Sequence, residues 1–342
     1  MATTTVVAGA VGTGSVLTNE MKTFYEMRML DRAIAELYYC SLGWPATIPD
    51  NQGNVVDWRK VSALSAVTTA LTPGVTPASE AFSVVNITAT PSQYGAFIRL
   101  SDELQLRSID PLVDEMSRAL GEQAGLSADT LARDLYAASG TVQIADGVAA
   151  RGSLAATNVL DGSEIAKAWA TLVNANARGF DFLGGRFAVV LSALAWKDLL
   201  DSAEMRNAAQ QALPRDDEHP LFSGKVFDYM GCRFFVSSNA KMVADAGAGS
   251  TVDVYLTLVI GRQAFGIAGI GAQGLAQRMD LGIGGTGNTV MPVDLIVKQL
   301  GYGDDPLNQR SSVGWKGWQE EKELNAAFAV RIEHACSMGS NT

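Results

Sequence analysis

Three cysteines, two histidines and no lysine between positions 61 and 97 leave this 342-residue chain short of the groups that most often do chemistry. Cys40, Cys232 and Cys336 are odd in number, far apart and in no CxxC pair, so they read as buried thiols of a reducing compartment. Neither His219 nor His334 stands at a metal-ligand spacing from a cysteine. Phosphate loops of the GxxxxGK[ST] type and GxSxG nucleophile elbows are missing. A Ser/His/Asp or Cys/His site has only those two histidines to draw on. The longest apolar runs, such as FAVVL at 187–191, fall far short of a membrane span. MATTTVVAGAVGTGSV has no basic residue ahead of its apolar part, so no secretory signal is expected. Like charges never run to five; the densest acidic cluster, Asp216-Asp217-Glu218, reads as a solvated turn. Against 36 acidic residues stand 26 basic ones, a net charge of −10, which disfavours a protein whose main task is gripping phosphates.

Core-forming residues are abundant. Apolar residues make up 47% of the chain and charged ones 18%, enough for one large or two interleaved domains. Residues 1–18, rich in Thr, Gly, Ala and Val without period, predict a mobile arm. From Asn19 a helical stripe of Phe24, Met27, Leu30, Ile34 and Leu37 runs toward Gly43. The 55–64 run predicts a strand, Pro73, Gly74 and Pro77 a bend, and 81–88 and 93–100 two returning strands. Together 55–100 reads as one long β-hairpin-like excursion. Asp110 as cap and Pro111 at the first helical position open the clearest helix, 110–138. Its stripe is Leu112, Met116, Leu120, Ala124, Ala128, Leu131 and Leu135. Gly121 and Gly125 share one face of it, either as a close-approach surface or as a tolerated weak point. Further helices are expected at 162–178 and 194–213, strands at 186–192, 252–268, 290–302 and 326–334, and a strand–turn–strand unit at 225–238 with Gly231 in the turn. Helices and strands mix without a βαβ beat or a repeat, so the class is α+β.

Two stretches invite a chemical reading. Gly269-Ile-Gly271-Ala-Gln-Gly274 matches GxGxxG, with Asp294 twenty residues on, and suggests a soluble NAD(P)-dependent enzyme. That mechanism needs a long helix beginning at the turn, whereas only seven residues separate Gly274 from Gly282. A structural turn is preferred, and no cofactor is expected. In GYGDDPLNQRSSVGWKGW (301–318), Asp304, Asp305 and Asn308 offer oxygens to a cation, and Arg310 and Lys316 offer charge to an anion. The preferred reading is a tight turn at Asp305-Pro306, with Arg310 and Trp315 as anchors. Asn86-Ile-Thr88 fits a glycosylation sequon that a reducing compartment would leave unused.

Four stretches in order, ALTPGVTPAS, ITATPSQYGAFIRLSDEL, IDPLVDEMSRALGEQAG and GYGDDPLNQRSSVGWKGW, resemble tailed-bacteriophage major capsid proteins of the Hong Kong 97-like fold. Within them they resemble the group related to coliphage N-four, over roughly residues 20–335. The resemblance implies an N-terminal arm and helix (1–54) and an extended loop (55–100) lying over a neighbouring subunit. It further implies a spine helix with peripheral domain (101–180), an axial domain (181–250), and remaining axial and peripheral strands (251–342). Leu71, Pro73, Val75, Pro77, Phe82 and Val84 would be inter-subunit contacts, and Asp110, Pro111, Asp305, Pro306, Arg310 and Trp315 structural anchors. The implied function is a non-enzymatic shell of pentamers and hexamers enclosing double-stranded DNA without specific binding. Scaffolding, portal and decoration proteins are the implied partners, with assembly in the host cytoplasm, location in the virion and no membrane contact. A nanocompartment shell of the same fold, holding cargo proteins, is the alternative within that class.

Overall fold

A computed structural model of the chain describes residues 38–49, 53–62, 64–107, 112–212, 228–270, 277–278, 292–298, 307 and 309–338. The expected arm at 1–18, the stripe at 24–37, Asp110, Pro111, the Asp216–Glu218 cluster, His219, Gly271–Gly274 and Asp304–Pro306 lie outside them.

After a short 3-10 turn at Cys40–Leu42, β1 (Trp44–Ile48) follows Gly43 directly. A proline at position 45 is unusual within a strand. β1 is an edge strand, bonded only to β11, so one side of its backbone needs no partner and Pro45 is tolerated. β2 (Val56–Val61) and β3 (Val84–Ala89) form a separate two-stranded antiparallel sheet, with Trp58 opposite Ile87. β4 (Ser92–Ser101) leaves that pair and bonds along ten residues of β14 (Arg310–Glu323). The strand pairing of the excursion is therefore confined to 56–61 and 84–89, and the 93–100 run belongs to the body.

α1 (Asp102–Arg107) precedes α2 (Leu112–Ala138), whose 27 residues span about 40 Å at about 1.5 Å per residue. Its buried face is Leu120, Ala124, Ala128, Ala132 and Tyr136, a strict four-residue step. The predicted Leu131 and Leu135 sit half-buried beside it. Gly121 is exposed with open space around it, while Gly125 is buried.

The second half alternates more evenly. β5 (Thr141–Ile144) is followed by α3 (Gly162–Asn174), capped by the Asp161 carboxylate accepting from Glu164 N–H at 2.9 Å. β6 (Phe187–Leu191) is wholly buried, and Ser192 caps α4 (Ala193–Asp201). The single helix expected over 194–213 breaks at Ser202 into α4 and α5 (Ala203–Ala212). The Ser202 backbone is extended (φ −62°, ψ 138°), and its hydroxyl donates to Leu199 O at 2.7 Å. Then come β7 (Asp228–Tyr229), β8 (Cys232–Val236), β9 (Met242–Val243), β10 (Val254–Ile260) and β11 (Phe265–Ile270). The expected 252–268 strand is two, parted by a turn with Gln263 at φ 61° and sent into different sheets. β12 (Gln277–Arg278), β13 (Pro292–Lys298), β14 and β15 (Ala329–His334) complete the chain.

β14 organises the first sheet. Its 310–319 stretch lies between β4 and β13, and its 320–323 end continues onto β11, giving the order β1-β11-β14-β13-β12 with β4 added on β14. The turn expected at Asp305-Pro306 lies outside the described residues; from Arg310 on, the stretch is the longest strand among them. Alternation hides this strand in the sequence: Ser311, Val313, Trp315, Gly317 and Gln319 face α2, while Arg310, Ser312, Gly314 and Lys316 occupy the even positions up to Trp318, so the run looks polar overall. The second sheet runs β5-β15-β10-β6-β8-β7, with β9 on β10. Between α2 and the first sheet, Tyr136 stacks on Phe265 with ring centroids 3.9 Å apart. A second core fills the space between the other sheet and α3 and α4, around Leu160, Ile165, Leu172, Val189 and Leu199.

Candidate assembly surface

Every described residue from 64 to 86 is exposed, and this stretch is not polar. Leu71 is 69% exposed, Val75 63%, Phe82 68% and Val84 46%. Pro73 and Gly74 make the tip turn: Val75 N–H donates to Thr72 O at 3.1 Å and Gly74 adopts φ 81°. Proline at the second position and a left-handed glycine at the third are what a type II turn requires. Apolar side chains gathered on such a loop gain nothing from burial in their own fold.

The loop's root is held firmly. Trp58 on β2 covers Gly266 of β11; a Cβ on that glycine would stand 2.9 Å from the indole and 3.2 Å from Leu324. A groove of about 400 Å³ opens beside this contact, lined by Trp44, Trp58, Ile87, Leu324 and Phe328. The Arg262 guanidinium lies 5.2 Å from the Trp44 ring.

Beneath β14 the body is pinned to α2. Trp315 is buried, and its Nε1–H donates to Gln123 Oε1 at 3.2 Å. Gln319 donates to Ala128 O at 3.1 Å. Asp129, 1% exposed, accepts from the N–H groups of Tyr39 (2.8 Å) and Cys40 (3.2 Å) and from Asn239 Nδ2 (2.9 Å). Burial raises its carboxyl pKa despite those donors. This junction had no signal in the sequence, because its partners lie about ninety and one hundred and ten positions from Asp129.

On the other side of the first sheet, β4, β14 and β13 present an open face. Register puts Arg99, Ser312 and Lys298 in one row across the three strands, and Phe97, Gly314 and Ile296 in the next. Arg310 stands at the start of β14 on the same face. Arg99 lies over the Phe97 ring at 5.3 Å. The depression they line measures about 510 Å³.

The chemical readings fare differently. Gly269 lies inside β11, one residue before its end at Ile270, and Gln277–Arg278 is a strand bonded to β13 where a dinucleotide turn needs a helix. Among the described residues no cluster of His, Cys, Asp and Glu could hold a metal ion. Cys336 Sγ does approach His334 Nδ1, at 3.9 Å, but both are buried. Desolvation lowers the histidine pKa to about 4 and raises the thiol to about 12, so neither is poised to react. Of the expected contacts, Leu71, Pro73, Val75, Pro77, Phe82 and Val84 are all exposed on the loop or its strand. Of the expected anchors, Trp315 lies in the core and Arg310 on the open face, while Asp110, Pro111, Asp305 and Pro306 fall outside the described residues. No helix among the described residues is long and apolar enough to cross a membrane.

Comparison with known proteins bears on the whole chain. The model of the family described as phage capsid protein matches residues 84–319, more than half of the sequence. No curated protein matches. Among solved structures, the cyanophage Pam1 capsid chain is similar at TM-score 0.69 and 15% identity, over 95% of this chain and 99% of that one. The capsid of Ralstonia phage GP4 gives TM-score 0.67 at 15% identity, over 97% and 98%. The capsid of cyanophage P-SCSP1u gives 0.64 at 14%, over 95% and 96%. The chain belongs to the phage capsid protein family: a structural protein with the Hong Kong 97-like α+β fold, not an enzyme.

Proposed function

We propose that this chain is a major coat protein of the group related to coliphage N-four, assembling through pentamers and hexamers into an icosahedral shell around double-stranded DNA. Assembly takes place in the host cytoplasm, with scaffolding, portal and decoration proteins as partners. The observation that carries the reading is the apolar loop 64–86, exposed throughout and seated on the body only at its root. Left alone such a loop is an aggregation hazard; against a neighbour it becomes an interface. A standard contact buries about 800 Å² per partner. Several per subunit, at about 25 cal/mol/Å², give tens of kcal/mol before the costs of association. α2 serves as the spine, the loop on β2 and β3 (56–89) as the part that lies over the neighbour, and 181–250 as the greater part of the axial domain.

Electron microscopy and light scattering of the purified protein, with and without a scaffold, test this directly. Shells or capsomer-sized rings are expected. A chain that stays monomeric at high concentration with scaffold present would refute it.

A further inference from the structure

Each copy carries a net charge of −10, so identical copies repel at long range, and contacts between them need locally opposite patches. The open face of β4, β14 and β13 is such a patch. Arg99 and Lys298 flank Ser312 in one row, Arg310 stands beyond them, and Phe97 and Ile296 form the row below. Phe97 is 62% exposed and Ile296 37%. Gly314, between those two, leaves the floor low: a Cβ there would stand 2.8 Å from the Phe97 Cβ. The result is a trough of about 510 Å³ with a cationic end and an apolar end. Among the described residues no ion pair engages Arg99 or Lys298.

The extended loop offers the complement. Between positions 62 and 83 its only charged residue is Glu80, two residues from the exposed Phe82. Glu80 likewise forms no ion pair among the described residues. Resting on the shell reading above, we infer that the Glu80–Phe82 segment of a second copy seats in this trough, the carboxylate between Arg99 and Lys298 and the aromatic ring over Gly314. The contact is heterologous: loop of one copy, trough of the next. Repeated by rotation it closes a ring, and it leaves neither patch uncovered.

Charge reversal in the full-length protein tests it. Glu80→Arg and Arg99→Glu should each cut shell yield about tenfold by sedimentation and microscopy, and the double variant should restore it to within about twofold. Carbodiimide treatment of wild-type shells should join Glu80 to Lys298 of another copy, read as a linked peptide pair by mass spectrometry; this readout does not depend on any variant folding. Single reversals that assemble like the wild type overturn the inference while the shell reading stands. So does a double variant that is folded and still fails, or a Lys298 found coupled to a different carboxylate. A wild-type chain that never assembles overturns the shell reading itself.

Discussion

The indole of Trp58 lies so close over Gly266 that a Cβ on the glycine would come within 2.9 Å of the ring. This contact sets the base of the loop hairpin on the buried strand β11, which neighbours β14 and, through it, the rest of the first sheet. Gly266→Val should force the tryptophan off its seat. Overpacking of this kind costs about 1–3 kcal/mol, read as a lower denaturation midpoint. Shell yield should fall more steeply than stability, because the loop's direction changes while the body survives. Unchanged melting together with unchanged assembly would show that the root contact does not aim the loop.

Replacing residues 68–80 by a short Gly-Ser link removes exposed side chains only. Stability should stay within about 0.5 kcal/mol, as for surface changes generally, while particle yield collapses. Normal particles would refute a role between subunits, and so would loss of folding in the isolated chain.

Asp129 ties three distant segments together, so its removal should be felt by the whole body. Asp129→Ala leaves the Tyr39 and Cys40 N–H groups and the Asn239 amide without their acceptor in a buried site. At about 1 kcal/mol or more for each stranded group, the loss should reach at least about 3 kcal/mol in urea unfolding. Asp129→Asn keeps one carbonyl for the backbone donors and should cost less. A loss below about 1 kcal/mol for the alanine variant would mean that water replaces the carboxylate.

Much of this fold was legible because its periods are plain. α2, α3, β6 and the β2–β3 pair follow from stripe, cap and alternation. β1 was hidden by Pro45, acceptable only because the strand lies at an edge. β14 was hidden by its even positions, where Arg310, Ser312, Gly314 and Lys316 dilute the buried Val313 and Trp315. Pairing partners were the larger gap: local pattern says that 93–100 is a strand but not that it bonds to 310–319 rather than to 81–88. The same holds for the surface. Leu71 and Phe82 on a loop are visible in sequence, whereas the Arg99–Ser312–Lys298 row exists only once three strands are in register.

Glu321 makes the stability of the α2–β14 junction depend on pH. Burial, with Glu320 beside it, raises its carboxyl pKa from 4.5 to about 7, against a hydrogen bond from Gln319 that lowers it. The folded state thus prefers the protonated form. Stability is fully present below pH 4.5 and declines as pH rises through 7. With solvent reaching this half-buried group, the swing should be on the order of 1–2 kcal/mol, below the full value of so large a shift. Glu321→Gln should flatten the profile and match or exceed the wild type at pH 8. A wild-type midpoint that does not change between pH 5 and 8 would contradict this.

Covalent cross-linking supplies the last prediction. Some proteins of this fold join neighbours by an isopeptide bond between a lysine on the extended loop and an asparagine of the next subunit, with a glutamate as base. That reaction needs an uncharged amine at the loop and a carboxylate whose pKa is raised by an apolar pocket. No lysine occurs from 61 to 97 in this chain. Lys60 sits on β2 opposite Val85, at the foot of the hairpin near the Trp58 root, and Arg99 on β4 cannot lose its proton. The contacts between copies must therefore hold without a covalent bond from the loop tip. Mature particles boiled in detergent and reductant should run as one band near 36.1 kDa. A ladder of multimers would show that another amine, Lys60 first among them, reaches across the interface.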